Sequence, residues 1–555
     1  MNEMSPPLRR ELNPWTGAVY QELGDGLVRI DDKAKGKYGV FRYDGTWIEG
    51  DLTYADPHML MYVGGPDLPY GDDLPWTLMP ALEEDRPQFF EAMKAAAEAQ
   101  PQRPAIIGKY VGDPGMETPE GPRSSAHIPM EFFLENERRP DLLPDVYRKS
   151  SPVPGGPEKV PAARYFERRY HDLEIEHIWK KCWQMACRED DIPEVGDYYL
   201  YEIANLQYLV VRTAPDTIMA HENVCLHRGR QLRDCSGKKA TEFRCPYHGW
   251  QWKIDGTLRA ITAEWDFQGV RDDVSRLPGA QVASWAGFVF INPDPEAIPF
   301  EDYAGPEMLA HYKKSKLQNR YKQADVTKVV KGNWKLLQEA FLEGYHSLAT
   351  HPQLLLHGSE CADLRFDSFG NWNRLGHVGV NGSCPHRGQL LSREQALESY
   401  RQTADFMREH LRGMIGDEVD QYSDAELNEQ SFNNLFPNTS PWGGWARVVY
   451  NFRPNGDNPD EALMRVMFLA PWPEGKPKPA PVEPRFLSAE QPWTDAPELA
   501  SFTKIFDQDC GNVPQVHRGL KAKSQPYVWI SGYQESMIRA WHNNYARRLG
   551  LGEGE

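Results

Sequence analysis

The stretch that decides the fold runs from Asn223 to Gly256 and reads NVCLHRGRQL (223–232), DCSGKKATEF (234–243) and RCPYHGWQWKIDG (244–256). It holds two cysteine–histidine pairs separated by seventeen residues: Cys225-x-His227 and Cys245-x-x-His248. Gly229 and Gly249 follow the two pairs, which predicts that each pair lies at the tip of a hairpin-like turn. Two thiolates and two imidazoles in paired loops can hold either one zinc ion or a [2Fe–2S] cluster.

The order of the residues within each pair favours the cluster. A zinc finger usually has its two cysteines together and its two histidines together, whereas cysteine and histidine alternate here. In a cluster of this kind the cysteines bind one iron and the histidines bind the other, and the histidines raise the reduction potential. Such a site accepts electrons from weak reductants. The alternatives are a structural zinc site or four unrelated core residues.

The two motifs together resemble a known family. Cys225-x-His227-Arg228-Gly229 and Cys245-Pro246-Tyr247-His248-Gly249-Trp250 resemble the Rieske centre of the Rieske non-haem iron oxygenases. The resemblance covers roughly residues 160 to 550. Rieske subunits of respiratory complexes differ, because each of their cluster loops carries an extra cysteine and the two form a disulfide. Leu226 and Pro246 lie in the loops here and only Cys235 lies between them, so no such bridge is expected.

The resemblance implies an α+β fold in three parts. We expect a small antiparallel β Rieske domain, a helix-grip (START-like) catalytic domain with a curved antiparallel sheet, and an N-terminal extension. The expected boundaries are residues 1–160 for the extension, 161–190 for a lead helix, 191–295 for the Rieske domain and 296–555 for the catalytic domain. The role of the extension is not predicted, although packing against the rest of the chain or a neighbouring subunit is the interpretation we favour.

Local patterns predict several elements inside these parts. Alternating segments between Gly26 and Gly65, including MLMYVGG, predict a β meander, and residues 86–100 predict a helix. Ser392 with Gln395 predicts a capping box that opens a helix. RVVYNFRP (447–454) and LMRVMFLAPW (463–472) predict strands.

Composition limits the function classes. The 555 residues carry a net charge of −18, which argues against nucleic acid or an anionic membrane as a partner. The eight cysteines are few and scattered, so a disulfide framework is not expected. The beginning of the sequence, MNEMSPPLRRELNPW, lacks an apolar signal-peptide segment, and no apolar run approaches the ~20 residues that span a bilayer. We therefore expect a cytoplasmic protein.

A second metal site is predicted in NWKLLQEAFLEGYHSLATHPQLL (333–355). The segment is typical of a helix and carries Glu343, His346 and His351. His346 and His351 are five residues apart, a poor match to one face of a regular helix, so we expect the helix to end or loosen between them. Glu343 and His346, three residues apart, are expected to share a face. A mononuclear iron that activates O2 needs two histidines and one carboxylate with open positions beside them.

The third ligand is expected from IFDQDCGNVPQVHRGLKAKS (505–524), which is also helical in character. In the family that the chain resembles, the carboxylate precedes a QxG- or QRG-type segment, and counting back from Arg518-Gly519 points to Asp509. Asp507 is the competitor, two residues away and therefore on another helix face. The alternative is that both aspartates are surface charges.

The resemblance also implies a role for Glu343. The family commonly has an acidic residue at this position that connects a cluster-ligand histidine of one subunit to an iron-ligand histidine of the next. Here Glu343 would link His248 of a neighbouring copy to His346. Its longer side chain departs from the aspartate of naphthalene-type dioxygenases, and Ala340 stands where many relatives carry Asn. The alternative is an ordinary exposed glutamate.

The resulting hypothesis is the oxygenase (α) component of a Rieske oxygenase, with a [2Fe–2S] cluster and a mononuclear Fe(II). It would hydroxylate an aromatic or alicyclic compound with O2 and NAD(P)H-derived electrons; oxidative O- or N-demethylation and a Rieske electron carrier are the alternatives. No GxGxxG stretch in a strand–helix context is present, so we expect a separate NAD(P)H-dependent reductase, with or without a ferredoxin. A homotrimer or a multiple of three is expected, and a β subunit is possible.

Overall fold

A computed structural model describes residues 10–12, 18–65, 130–152, 154–351, 364–378, 383–384, 389–390, 393–472 and 475–552. Helices are interspersed with sheets whose strands pair mostly antiparallel, which confirms the predicted α+β class. Among the described helices, none has both the length and the hydropathy needed to cross a bilayer. The predicted helix over residues 86–100 and Ser392 of the predicted capping box lie outside the described residues.

The first unit is the predicted meander. It consists of five strands that pair in sequence order: β1 (Arg10–Leu12), β2 (Val19–Gly24), β3 (Leu27–Asp32), β4 (Lys37–Arg42) and β5 (Trp47–Gly50). The segment MLMYVGG, predicted as a strand, instead belongs to helix α1 (Pro57–Gly64). A proline begins this helix, and the carboxylate of Asp56 accepts a hydrogen bond from the backbone N–H of Met59 at 3.3 Å. These two helix-start signals outweighed the local alternation.

The end of the extension packs against the large C-terminal part of the chain. Helix α2 (Met130–Glu135) is followed by Glu137, whose carboxylate accepts hydrogen bonds from the backbone N–H groups of Asp424 and Ala425 at 3.1 and 3.0 Å. Arg138 pairs with Asp424 at 2.5 Å. Strand β6 (Lys159–Pro161) pairs with β26 (Tyr527–Trp529). The favoured packing role is therefore observed for residues 130–161.

The predicted lead helix is shorter than residues 161–190. Helix α3 (Arg168–Glu174) continues as a π-helical turn, Ile175–Trp179, which buries Ile178 and Trp179. Strand β7 (Gln184–Arg188) then pairs with β15 (Phe288–Asn292). The small β unit therefore begins before residue 191, because a fully buried five-residue strand at the end of the supposed helix completes its sheet.

The small β unit contains two antiparallel sheets. The six-stranded sheet has the order β7-β15-β14-β10-β9-β8, and the three-stranded sheet has the order β11-β12-β13. Their remaining strands are β8 (Tyr198–Ile203), β9 (Leu206–Ala214), β10 (Thr217–Glu222), β11 (Glu242–Arg244), β12 (Gln251–Lys253), β13 (Leu258–Ala260) and β14 (Gly279–Trp285). The first cluster loop connects β10 to β11, and the second connects β11 to β12. The short helix α4 (Val270–Asp273) follows β13.

The C-terminal part is built on an eight-stranded sheet with the order β17-β18-β21-β22-β23-β24-β16-β25. Its strands are β16 (Tyr321–Lys331), β17 (Arg365–Phe369), β18 (Trp372–His377), β21 (Gln430–Leu435), β22 (Thr439–Pro441), β23 (Val448–Asn455), β24 (Asn458–Ala470) and β25 (Arg485–Leu487). Two short strands, β19 (Ser383–Cys384) and β20 (Gln389–Leu390), pair with each other. The strands predicted from RVVYNFRP and LMRVMFLAPW are confirmed as β23 and β24.

The helices of this part are α5 (Phe300–Ala304), α6 (Pro306–Tyr312), α7 (Trp334–Ala340), α8 (Ser347–Thr350), α9 (Arg393–Ile415), α10 (Asp424–Asn428), α11 (Phe502–Ala522) and α12 (Ser536–Leu549). Aromatic side chains of α11 and of the turn after α7 pack on one face of the sheet. Phe502 lies 5.5 Å from Phe468, and Phe341 lies 5.1 Å from Phe452, between ring centroids. We call this face of the sheet the inner face.

A buried ionic joint on the opposite face fixes the small β unit to the large sheet. Asp191, directly after β7, pairs with Lys322 of β16 at 2.5 Å. Lys322 also contacts Asp325 at 2.8 Å, and Arg465 of β24 donates two hydrogen bonds to Asp325 at 2.7 and 2.8 Å. Since Lys322 and Asp325 are at most 1% exposed, these bonds replace hydration that both charges lose on folding.

Candidate metal centres

The two cluster loops have the same local geometry. In the first, the backbone N–H of Gly229 donates to the carbonyl of Cys225 at 3.0 Å, and in the second Gly249 donates to Cys245 at 3.1 Å. Both glycines adopt left-handed backbone angles, with φ of +71° and +77°. Such angles are strained for residues with a side chain, which explains the Gly that follows each Cys–His pair. The predicted hairpin-like turns are confirmed.

The four predicted cluster residues come together at the tips of these loops. The cysteines Cys225 and Cys245 are 1% and 2% exposed, and the ring centroids of His227 and His248 lie 4.5 Å apart. The Nδ1 atoms of both histidines are buried, and among the described residues neither has a hydrogen-bond partner. Two buried thiols and two imidazole nitrogens that lack partners, on the tips of the paired loops, fit a [2Fe–2S] cluster with two cysteine and two histidine ligands.

The protonation of these groups also suits metal binding. Burial lowers the pKa of His227, and the neighbouring His248 lowers it further, so the imidazole is neutral and its lone pair is available. Burial raises the pKa of the Cys225 thiol, so a thiolate there needs a compensating positive charge such as iron. Cys235, which lies between the two loops, is a free and exposed cysteine.

Aromatic rings surround the histidines. His227 stacks on Trp250 with the centroids 4.9 Å apart and the planes 9° apart, and Phe267 meets the same ring edge-on at 5.5 Å. Tyr247 lies 3.7 Å from His248 and is 57% exposed. Sequence reasoning missed Phe267, because it lies seventeen residues after Trp250, the end of the second motif, in a segment without periodicity.

The second predicted site is also assembled. Atoms of His346, His351 and Asp509 that could ligate a metal ion all lie within 4.8 Å of one another. Asp509 Oδ1 is 2.7 Å from His351 Nε2 and 3.4 Å from His346 Nε2. Asp509 and His351 are 3% and 2% exposed at the side chain, whereas His346 is 26% exposed. Two imidazoles and one carboxylate that converge from one side, and leave the other side open, are the donor set of a mononuclear iron site.

The helix that was predicted to carry Glu343 and His346 ends earlier than expected. Helix α7 stops at Ala340, residues 341–346 form turns, and α8 begins at Ser347. Glu343 and His346 therefore do not share a helix face. They meet because the turn brings the backbone N–H of His346 to Glu343 Oε2 at 3.0 Å, and Glu343 Oε1 also contacts His346 Nδ1.

Each histidine of the triad is held through its Nδ1 atom. A carboxylate only accepts hydrogen bonds, so Glu343 requires the proton of His346 on Nδ1 and leaves Nε2 facing Asp509. His351 Nδ1 lies 2.9 Å from Oε1 of Gln508, which has the same effect. Partners of this kind orient metal-binding histidines. Sequence reasoning missed Gln508, although its place next to Asp509 was the available signal.

Charges within the triad shift two pKa values. Burial opposes the charged form of His346, but Glu343 and Asp509 outweigh it and raise the pKa of His346 to about 10. Burial also opposes ionisation of Asp509, but hydrogen bonds to His346 and His351 outweigh it and keep the pKa of Asp509 below its ordinary value. The carboxylate is therefore ionised, which is the form that binds a metal ion.

Asp507, the competing aspartate, lies away from the triad. Its Oδ1 atom accepts a hydrogen bond from the backbone N–H of Trp493 at 2.8 Å. Burial raises the pKa of Asp507. The two aspartates are on different faces of α11, as the spacing predicted, and only Asp509 faces the histidines.

A buried network fixes α7, the helix that precedes the turn with Glu343 and His346. Glu174 of α3 is fully buried and accepts hydrogen bonds from Lys335 Nζ at 2.5 Å, from Trp334 Nε1 at 2.8 Å and from the Tyr545 hydroxyl at 2.8 Å. Three elements distant in sequence thus meet at one carboxylate. Sequence reasoning did not find this network, because each residue alone fits an ordinary helix.

Comparison with known proteins gives one family match over the segment of each site. Residues 182–271 match the family described as Rieske [2Fe-2S] domain, and residues 309–551 match the family described as Ring hydroxylating alpha subunit (catalytic domain). The chain is 31% identical over 195 residues to the carnitine monooxygenase oxygenase subunit of Escherichia coli (strain K12), covering 35% of this chain and 52% of the relative. It is 31% identical over 204 residues to the anthranilate 1,2-dioxygenase large subunit of Acinetobacter baylyi (strain ATCC 33305 / BD413 / ADP1), covering 35% and 43%.

Among solved structures, a quaternary ammonium Rieske monooxygenase matches with a TM-score of 0.53 and 19% identity over 72% of this chain and 99% of that one. This likeness supports the predicted fold of a Rieske β domain joined to a helix-grip catalytic domain. A Rieske [2Fe-2S] domain and a ring-hydroxylating α-subunit catalytic domain are together the two domains of the oxygenase (α) component of Rieske non-haem iron oxygenases, and this chain matches both. It spans about half the length of the curated relatives that it matches. The cofactors of this class are a Rieske [2Fe–2S] cluster and a mononuclear iron.

Proposed function

We propose that the protein is the oxygenase component of a Rieske oxygenase system, which hydroxylates an aromatic or alicyclic substrate with O2 and NAD(P)H-derived electrons. The observation that carries this proposal is that one chain contains two metal-capable sites of different donor chemistry. One offers two thiols and two imidazoles, and the other offers two imidazoles and a carboxylate with one histidine partly exposed. A pure electron carrier has no need for the second site.

We assign the ligands of each centre from this geometry. The proposed cluster ligands are Cys225, His227, Cys245 and His248, and the proposed iron ligands are His346, His351 and Asp509. When bound, the cluster supplies single electrons and the iron supplies a site for O2 activation. The chain's own residues orient the histidines through Nδ1, exclude water around Asp509 and His351, and hold aromatic rings of Phe341, Tyr450 and Phe506 beside the site.

We assign Glu343 to the connection between centres of neighbouring copies. Its carboxylate contacts His346 and retains 9% exposure of the side chain, so a second molecule can reach it. In the proposed assembly, His248 of another copy completes this contact, and a ring of three chains closes the arrangement. A homotrimer or a multiple of three follows, with a β subunit possible.

The electron donor in this proposal is a separate NAD(P)H-dependent reductase, with or without a ferredoxin, in the cytoplasm. The exposed Tyr247 beside His248 marks the side of the cluster that a donor or a second copy can reach. A dehydrogenase-coupled assay with a surrogate reductase measures this transfer as reduction of the cluster.

A second candidate reaction is monooxygenation of a methylated nitrogen or oxygen compound, with loss of the methyl group. It is supported by relatives named for carnitine, choline and glycine betaine. The ring-hydroxylation proposal is supported by the relative named for anthranilate and by the aromatic side chains beside the triad. Both reactions use the same iron ligands.

The test combines metal analysis with product analysis. Reconstituted protein should contain about three irons per chain, two in the cluster and one mononuclear. A substrate panel with a surrogate reductase and ¹⁸O2 should give a labelled alcohol or diol for ring hydroxylation, or formaldehyde for demethylation. About two irons per chain with normal cluster spectra, and no labelled product from any compound, would contradict the proposal. The chain would then be a Rieske electron carrier.

A further inference from the structure

A row of polar side chains crosses the inner face of the large sheet. Tyr450 of β23 pairs with Ser440 of β22, and Asn434 of β21 donates a hydrogen bond from Nδ2 to Ser440 Oγ at 3.2 Å. Asn373 of β18 pairs with Asn434. Because paired residues of neighbouring strands project on the same face, these four side chains form one row. We call it the amide row.

The Tyr450 end of the row lies beside the proposed iron site. The ring of Tyr450 is 4.7 Å from Phe341 and 5.8 Å from Phe506, which precedes Asp509 by one turn of α11. Burial raises the pKa of Tyr450, and the nearby carboxylate of Asp509 raises it further. The row therefore extends sideways from the triad under the helices.

The far end of the row has unsatisfied hydrogen-bonding atoms. Asn373 and Asn434 are both 0% exposed. Among the residues that the structure describes, Nδ2 and Oδ1 of Asn373 and Oδ1 of Asn434 have no hydrogen-bond partner. A buried amide without partners is costly, and sheet interiors normally avoid it. Two such amides side by side indicate that something other than the described protein atoms satisfies them.

We propose that the amide row is a substrate subsite that binds a neutral hydroxyl or carboxamide group of the substrate. This proposal rests on the proposed oxygenase function. Asn373 lacks partners for both a donor and an acceptor, so the complementary group must both accept and donate. A carboxylate only accepts, a quaternary ammonium does neither, and the row itself carries no charged side chain to balance either one.

The two amides also set the distance between the polar group of the substrate and the carbon that would be oxidised at the proposed iron site. Neighbouring strands are about 4.8 Å apart, so Asn434 and Asn373 lie about 10 and 14 Å from the strand of Tyr450. A substrate held by its polar group at these two amides places an apolar body of about 10 Å between the amides and the proposed iron site. The aromatic rings of Phe432 and Trp442, 4.3 Å apart, flank this path.

The test uses three probes with the same apolar body and different polar groups: 5-phenylpentanamide, 5-phenylpentanoate and (5-phenylpentyl)trimethylammonium. Their dissociation constants for the anaerobic holoenzyme are measured by isothermal titration calorimetry, and iron is counted in the same samples. The amide probe should bind at least about tenfold more tightly than the other two. In Asn373→Leu and in Asn434→Ala this preference should fall below about threefold, with iron content unchanged.

The matched control for Asn434→Ala is Asn433→Ala, the same change one residue along β21, where the side chain lies on the other face. Asn433 Nδ2 donates to Ser431 Oγ at 3.1 Å, so this variant should lose thermal stability but keep the amide preference. Equal affinities for the three probes, or a preference that survives in both Asn373→Leu and Asn434→Ala, would overturn the subsite. A missing mononuclear iron would instead contradict the proposed function, since probe binding is measured without turnover.

Discussion

Replacing Asp509 and Asp507 separately by alanine tests the iron site most directly. The two aspartates are two residues apart on α11, have the same chemistry and differ in what they contact. Asp509 lies 2.7 Å from His351 Nε2, whereas Asp507 accepts a hydrogen bond from the backbone N–H of Trp493 at 2.8 Å. The pair thus separates metal binding from ordinary structural hydrogen bonding.

The expected magnitudes follow from these contacts. Loss of residues that only support metal ligands costs 10–100-fold in affinity, so loss of the proposed ligand Asp509 should cost at least about 100-fold. Iron should fall from about three to about two per chain. Asp507→Ala removes hydrogen bonds to the backbone N–H groups of Trp493 and Thr494 and should lower the free energy of unfolding by about 1–2 kcal/mol without loss of iron.

The assay is iron counting, the electron paramagnetic resonance spectrum of the reduced cluster, and the urea midpoint of both variants. Asp509→Ala should keep the cluster spectrum and lose turnover. Turnover or a third iron that survives in Asp509→Ala would show that the ligand assignment is wrong. Loss of the third iron in Asp507→Ala would equally refute the assignment of Asp509 as the ligand. The Asp507 carboxylate accepts a hydrogen bond from the backbone of Trp493, so its removal should leave the triad intact.

Three further predictions concern residues around the centres. Glu343→Gln should keep both metals but slow reoxidation of the reduced cluster in a single turnover; an unchanged rate would count against its bridging role. Gln508→Leu should lower iron affinity about 10–100-fold by freeing the ring of His351, measured by competition with a chelator, and Gln508→Glu should restore binding; wild-type affinity in Gln508→Leu would contradict this role. Burial opposes ionisation of Asp325, but Arg465 outweighs it and keeps the pKa of Asp325 below its ordinary value. This carboxylate therefore stabilises the fold at pH values above its unfolded-state pKa, and the stabilisation is lost as the pH falls through its folded-state pKa. Asp325→Asn should therefore cost about 3–5 kcal/mol at pH 7 and progressively less in acid; a loss below about 1 kcal/mol, measured by urea unfolding, would contradict a stabilising joint.

Motif spacing was sufficient to predict the parts of the sites that depend on short-range geometry. The Cys–His pairs at 225–227 and 245–248 formed matching turns because each loop closes its own backbone hydrogen bonds. The two faces of α11 separated Asp509 from Asp507 because a regular helix fixes side-chain direction over two residues.

Predictions failed where a backbone signal competed with an apolar pattern. MLMYVGG is a short apolar run that was predicted as a strand, but a proline and Asp56 begin a helix there. The segment with Glu343 has helical spacing, yet α7 ends at Ala340, and the contact with His346 is made through a turn. Periodicity describes which residues are buried and cannot show where a chain leaves one regular element.

Contacts between segments that are distant in sequence could not be predicted from the sequence. Gln508 reaches His351 across 157 positions, and Glu174 reaches Tyr545 across 371. Neither pairing leaves a local pattern, because the chain between the partners sets their distance only through the completed fold. The amide row is of the same kind, since strand order places Asn373 beside Asn434.

The ionic joint between Asp191, Lys322 and Asp325 has a consequence for how electrons travel. A domain on a flexible linker can move its redox centre between electron donor and acceptor. Here the buried ion pairs instead fix the small β unit to the large sheet. The position of the cluster loops relative to the large sheet is therefore fixed within one chain. In the proposed assembly, the electron donor therefore reaches the cluster by diffusion, and the packing of whole subunits sets the distance from the cluster to the iron of the next subunit.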